Sequence, residues 1–323
     1  MTADGATAAS GTVPPPGVPL VLRGRELGLV TDAAGTVSRR GVVMAILNRT
    51  TDSFYAPARK PDDDAALDAA HRAWADGAEI LDVGGVRAGV GPVVDEAEEI
   101  RRVVPFVARV RAEVPDLMIS VDTWRAGVAR EAIAAGADLV NDTWAGADPH
   151  LVEVAGEAGV GVVCSHTGGA TPRTDPRRVE YPAPDGVADP RDGVLLDVLA
   201  TLRRSAGRAV ACGVPPAGVL VDPTHDFGKN TWHSLHLLRR TQALAGLGFP
   251  LLMALSRKDF VGETLGLPPD ERLEGTLAAT ALAAWLGARV FRAHDVVATR
   301  RTLDLVAVVR DEAAPSQVVR GLA

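Results

Sequence analysis

A chain of 323 residues with 47% hydrophobic and 4% aromatic side chains can bury a large core, built from Ala, Val and Leu rather than from rings. Its formal charge of -7 and pI near 5.5 lack the basic stripe of a nucleic-acid partner, while a few local cations could still hold a small anion. Two cysteines, Cys164 and Cys212, without a CxxC pair exclude a disulfide framework and a zinc signature and read as buried thiols of a reducing cytoplasm; no apolar run is long enough to cross a bilayer.

In chain order, residues 1–19 are rich in Ala, Gly, Thr and Pro and lack the regions of a signal peptide, so they read as a disordered N-terminal tail. Residues 20–40, "LVLRGRELGLVTDAAGTVSRR", have the short runs and turns of a small hairpin. From about residue 41 to 310 one unit then recurs: a short apolar run, a polar loop and an Ala/Leu-rich helical stretch. The runs are "VVMAIL" (42–47), "EILDVGG" (79–85), "LMISVDT" (117–123), "DLVNDT" (138–143), "GVVCSH" (161–166), "VLVDP" (219–223), "LLMALS" (251–256) and "RVFRAHD" (289–295). They do not alternate with polar residues, as expected of parallel strands buried on both faces. Eight such units predict an α/β fold, a (β/α)8 TIM barrel filling a single domain over 20–323, with a doubly wound open sheet as the competitor. The irregular stretch 167–193 is too long for an ordinary connection, and loops of that length often carry function.

Nearly every run ends in a group that can bind or ionise: Asn48, Asp82, Asp122, Asn141 with Asp142, His166, Asp222, Ser256 with Lys258, and Arg292 with His294. Any one Asp or Asn here could be a helix cap, and Asp82 and Asp142 are read that way. Lys229, in "DPTHDFGKN", reads as a loop or helix-start residue. In a barrel, however, strand ends converge on one rim, where barrel active sites are built. Carboxylates and Asn suit a heterocycle with several N–H donors, Arg292 and His294 suit a phosphate or pyrophosphate, and Asn48 could give an oxygen to Mg2+. His166 has no evident nucleophile beside it.

Taken in order, "AILNRTTDSFY" (45–55), "ILDVGG" (80–85), "SVDTW", "NDTW", "DPTHDFGKN", "SRKDFVG", "ERLEGTLAATALAAWLGA" and "FRAHDV" resemble the motifs of dihydropteroate synthases, over about residues 41–310. The resemblance implies a cytoplasmic, homodimeric TIM barrel that joins 6-hydroxymethyl-7,8-dihydropterin diphosphate to p-aminobenzoate and releases pyrophosphate. It implies that Asp122, Asn141, Asp222 and Lys258 hold the pterin, with Asp122, Asp222 and Lys258 catalytic. Asn48, Arg292 and His294 would hold pyrophosphate, with Asn48 as the ligand of Mg2+. The implied reaction is SN1-like: pyrophosphate leaves, a pterin-methyl cation forms, and the aniline nitrogen attacks.

The chain departs from that pattern mostly on the side that receives p-aminobenzoate. "GGVRAGVGP" (84–92) lacks the usual Ser-Thr-Arg-Pro, which Arg87 would only partly replace, and the first loop has Thr51 and Tyr55-Ala56-Pro57 in place of its usual turn. Thr224 and Asp226 replace two glycines after Asp222, and Ser165 replaces a methionine. Asp259 stands where a serine usually helps to receive the p-aminobenzoate carboxylate. It either opposes that carboxylate, costing about 1 kcal/mol in water and roughly 4 at an effective dielectric near 20 for charges ~4 Å apart, or caps the following helix and points away. Three functions follow: a dihydropteroate-synthase-like transferase of folate biosynthesis with weak activity, an inactive or repurposed paralogue that binds a pterin, or a pterin-dependent methyltransferase. The last needs no diphosphate clamp, so Lys258, Arg292 and His294 count against it.

Overall fold

The structure is a computed structural model that describes residues 17–31, 35–49, 63–174 and 179–320. The tail from 1 to 16 and the altered first-loop residues Thr51 and Tyr55–Pro57 lie outside the described residues.

Where one hairpin was expected over 20–40, two short antiparallel ribbons form: β1 (Val21–Leu22) with β2 (Arg25–Glu26), and β3 (Leu29–Thr31) with β4 (Val37–Arg39). Gly24 and Gly28, at φ 72° and 75°, make the reversals that an L side chain resists. The eight apolar runs become β5 (Val42–Asn48), β6 (Ile80–Gly84), β7 (Met118–Asp122), β8 (Leu139–Asp142), β9 (Gly161–Ser165), β10 (Val219–Asp222), β11 (Leu252–Met253) and β12 (Val290–Ala293). They lie in the order β10-β9-β8-β7-β6-β5-β12-β11, each pair parallel. A parallel bridge from Val221 to Leu251 brings the two ends of the sheet together, so the expected barrel is present. β11 is short because the chain leaves the ladder after Met253 and turns through Arg257, at φ 55°.

Alternation along each strand sorts its side chains. Val43, Ala45, Leu81, Ile119, Val140, Val162 and Val221 face the helices in one outer core. Val42, Met44, Ile80, Met118, Leu139, Val163, Leu220 and Val290 point inward, near the strands' starts, and share a second core with Leu20, Leu22 and Leu27. The N-terminal ribbon thus plugs the lower mouth of the barrel and leaves the C-terminal mouth for polar residues.

Around the strands run α1 (Asp63–Ala75), α2 (Glu96–Glu113), α3 (Ala126–Ala134), α4 (Leu151–Ala158), α5 (Asp192–Ala211), α6 (Thr231–Arg239), α7 (Thr241–Ala245), α8 (Asp259–Leu265), α9 (Leu273–Trp285) and α10 (Val296–Val309). Asp95 caps α2 by accepting the Glu98 N–H at 2.8 Å. Asn230 and His233 form a reciprocal capping box on α6. Cys164 is buried as expected, whereas Cys212 is only half-buried because it ends α5 near the surface. Among the described residues, no helix is long and apolar enough to cross a membrane.

The described part of the long 167–193 stretch is tied down. The Tyr181 hydroxyl donates to the Gly228 carbonyl at 2.6 Å. Asp192 lies 2.7 Å from His236 Nε2 and accepts from Arg240 at 3.1 and 3.2 Å.

Candidate functional site

The strand ends carry an acid–arginine cluster in the upper barrel. Asp82 sits mid-strand on β6, inward-facing because it follows Ile80 by two, and is fully buried. It accepts from the Ser120 hydroxyl at 2.6 Å, from Asn141 Nδ2 at 3.1 Å and from Arg292 Nε at 2.6 Å. Asp122, one step higher on β7, accepts from the Thr143 hydroxyl at 2.9 Å and from Arg292 Nη2 at 3.0 Å. The assignment of Asp82 as a helix cap is therefore corrected: it orients Asn141 and Arg292. Asp142 is not a helix cap either: it accepts the Gly146 N–H at 2.6 Å in the turn after β8, and α4 begins only at Leu151.

Strand register brings the predicted residues together. Asp122 pairs with Asn141 across β7–β8, Gly84 with Asp122 across β6–β7, and Asn48 with Gly84 across β5–β6. Gly84 leaves room for this arrangement, since a Cβ there would come within 3.1 Å of Asn48 Oδ1. On the far side Asp222 ends β10 and accepts the Thr224 N–H at 2.7 Å. Lys258 places its ammonium 4.3 Å above the Phe227 ring, and Phe227 meets Trp144 edge-on at 5.2 Å. Among the described residues the Lys258 ammonium has no hydrogen-bond partner, whereas Arg292 is committed to two carboxylates.

Burial governs the charges. It pushes the Asp122 carboxyl up to about 6, against the pull of Arg292 and with the push of Asp82. It raises Asp142 to about 7, and it raises Asp222 against the attraction of Lys258 and Lys229. His294 is driven down to about 3 by burial and by Arg292, Arg257 and Lys258. It is therefore a neutral imidazole, with Nδ1 2.9 Å from Ser256 Oγ, and would meet an anion as a hydrogen-bonding group rather than as a cation.

Lys229 has a structural role that its place in the sequence did not show. It lies in the loop just before the N-cap of α6, as expected, but is buried and donates to the carbonyls of His166, Thr224 and Phe227 at 2.7, 3.1 and 2.9 Å, so it ties the β9–α5 and β10–α6 connections together. Burial lowers it to about 7. His166 points outward, with Nε2 2.7 Å from Asp197 on α5.

Asp259 does not cap α8 with its side chain. It is the first residue of α8 and is largely exposed; its Oδ1 accepts from Arg272 Nη1 at 2.8 Å, while Lys258 stands at the N-cap. The acid that receives the first N–H groups of α8 is Asp226, at 2.7 Å from Asp259 N and 3.4 Å from Phe260 N. Asp226 and Thr224 hold φ of 69° and 51°, left-handed backbone that costs a side chain about 1 kcal/mol or more. Arg87 is half-buried in the β6–α2 connection. Arg257, inside the same Ser-Arg-Lys run, is structural: it grips Asp295 at 3.1 Å and the carbonyls of Pro269 and Asp270.

Two open cavities of about 550 and 570 Å³ flank this cluster, one between β5, α1 and α10 and one between Trp144–Ala147, His166–Pro172 and α5. Neither is lined by Asp122, Asn141, Asp222 or Lys258.

Residues 44–294 match the family described as pterin binding enzyme. Over 284 residues the chain is 58% identical to "Inactive dihydropteroate synthase 2" of Mycobacterium leprae, covering 88% of this chain and 96% of that one. It is 38% identical to the dihydropteroate synthase of Bacillus subtilis, covering 82% and 87%. A solved structure of Xanthomonas albilineans dihydropteroate synthase with 4-aminobenzoic acid superposes with a TM-score of 0.73 at 34% identity, covering 89% of this chain and 99% of that one. With the barrel, the acids of its upper strands and the Ser-Arg-Lys run in place, the chain belongs to the pterin-binding enzymes, as a divergent paralogue within the dihydropteroate synthase family.

Proposed function

We propose that this protein binds a pterin at the C-terminal mouth of its barrel and has lost the condensation with p-aminobenzoate. The observation that carries the pterin half is the convergence of Asp122, Asn141 and Asp222, acceptors for ring N–H groups, with a Lys258 ammonium that has no hydrogen-bond partner among the described residues and can meet a ring carbonyl. The loss of turnover is supported by the relatives at 57–58% identity whose names call them inactive, and by an acceptor side that carries Asp226 and Asp259 and no Ser-Thr-Arg-Pro.

A second reading, a weak synthase, is favoured by the retention of Asn48, Arg292 and His294 around the same mouth. Mg2+ would fit there with one protein oxygen, from Asn48, which suits an ion that keeps waters and shares diphosphate oxygens; bound, it would offset the charge of the leaving diphosphate. We further assign the protein to the cytoplasm and to a homodimer.

Calorimetry with a pterin diphosphate and Mg2+, together with a pyrophosphate-release assay, tests both readings. The expected outcome is pterin binding that is weakened at least about tenfold in Asp122→Asn, with no stimulation of pyrophosphate release by p-aminobenzoate. Mg2+ titrated alone should give no heat. Stimulated release would establish the synthase, and a wild type silent toward the pterin diphosphate would remove the pterin reading.

A further inference from the structure

The turn after β10 holds a carboxylate in strained backbone, and its bonds show what it does. Thr224, the first residue at positive φ, is steadied locally: its hydroxyl accepts the His166 N–H at 3.2 Å and donates to the Asp222 carbonyl at 3.0 Å. Asp226 is steadied by distant groups. Its Oδ2 accepts from the Asp259 N–H at 2.7 Å, its Oδ1 from the Ser234 hydroxyl at 3.1 Å, and its own N–H donates back to Ser234 Oγ at 3.2 Å.

This holds the carboxylate at the start of α8, on the N–H that directly follows Lys258 in the chain. Burial lowers Lys258, and the acids that pull it back up are Asp226 first and Asp222 second. Asp222 belongs to the pterin side. Asp226 lies at the start of α8, where its Oδ2 takes the N–H of the residue that follows Lys258, and Phe227 lies beneath the ammonium. At the helix start where the family resemblance implies an acceptor's carboxylate, the chain therefore already holds one, and Asp259 is a second acid there.

We propose that Asp226 is a built-in counter-carboxylate that fills the place beside Lys258 from within the chain, so that the site selects against anionic arylamines and for uncharged ones. The location rests on the pterin reading given above. The selection arises from the chain's own charges, since like charges held close together repel strongly where water is partly excluded.

The test titrates the full chain, by saturation-transfer NMR, with p-aminobenzoate and with its uncharged analogue p-aminobenzamide, each with and without a pterin diphosphate and Mg2+. The wild type should bind p-aminobenzoate at least tenfold more weakly than p-aminobenzamide. Asp226→Asn keeps the accepting oxygen and removes the charge; Asp226→Gly removes the whole side chain and relieves the backbone. Each should tighten p-aminobenzoate about tenfold and leave p-aminobenzamide within about threefold. If both folded variants keep the wild-type ratio, Asp226 is only a helix cap and the proposal falls. Absence of binding of either arylamine to all three proteins also overturns it. A wild type that ignores the pterin diphosphate would instead refute the pterin reading, and the arylamine ratio measured without pterin would still decide the role of Asp226.

Discussion

The charge of Asp122 is set by where β7 ends. With its carboxyl pushed up to about 6 by burial, ionisation costs the folded state, so its contribution to stability is present below about pH 4 and is lost as pH rises through 6. The buried histidines act with the opposite sign. His225 and His294, both driven to about 3, favour the fold fully above their unfolded value and cease to as pH falls from about 6.5 toward 3. Ligand binding separates the acid from the histidines. A pterin without phosphates, such as 6-hydroxymethylpterin, brings N–H donors that need an ionised acceptor, so its affinity should fall about tenfold from pH 7 to pH 5. Asp122→Asn should be weaker throughout and nearly flat, and fluorescence titration of the two proteins at both pH values checks this; a wild type as flat as the variant would deny Asp122 the role. Asp82 could have been found from sequence, because Ile80, Asp82 and Gly84 share one face of a strand and an acid on an inward face needs a partner. The role of Asp226 could not: it depends on α8 arriving beside a turn some thirty residues earlier, and nothing local encodes that approach.

At the scale of elements, all eight barrel strands were legible because parallel strands covered on both faces need unbroken apolar runs. What the runs could not show was length. β11 keeps only Leu252 and Met253 in the ladder, since its last residues serve the turn that presents Lys258. The N-terminal ribbons were legible as turns and short runs but not as a plug, because Leu20, Leu22 and Leu27 become core only once the barrel offers them its lower mouth. That placement makes a separable prediction. Leu27→Ala should cost about 2–5 kcal/mol in a urea melt, the usual range for a buried leucine. The folded fraction should bind the pterin with wild-type affinity, because the plug and Asp122 lie at opposite ends of the strands. A weakened pterin affinity in the folded variant would show that the plug shapes the upper site.

For the whole molecule, the surface of the last helices sets the question of assembly. α9 and α10 pair with each other through Ala279, Ala283 and Leu303 and their neighbours, yet Leu282, Leu305 and Val309 remain 56, 65 and 60% exposed. Large aliphatic side chains on adjacent helices are costly to leave in water. A twofold axis beside them would bury each set against its copy, the closed arrangement that such a self-complementary patch permits. Light scattering at micromolar concentration should therefore give twice the chain mass of 33.6 kDa. Leu305→Glu places a charge in that contact, where burial without a partner is prohibitive, and should give the single-chain mass with an unchanged circular dichroism spectrum. A wild type already at the single-chain mass would leave the exposed leucines without this explanation. A dimeric Leu305→Glu would move the interface to another face of the barrel.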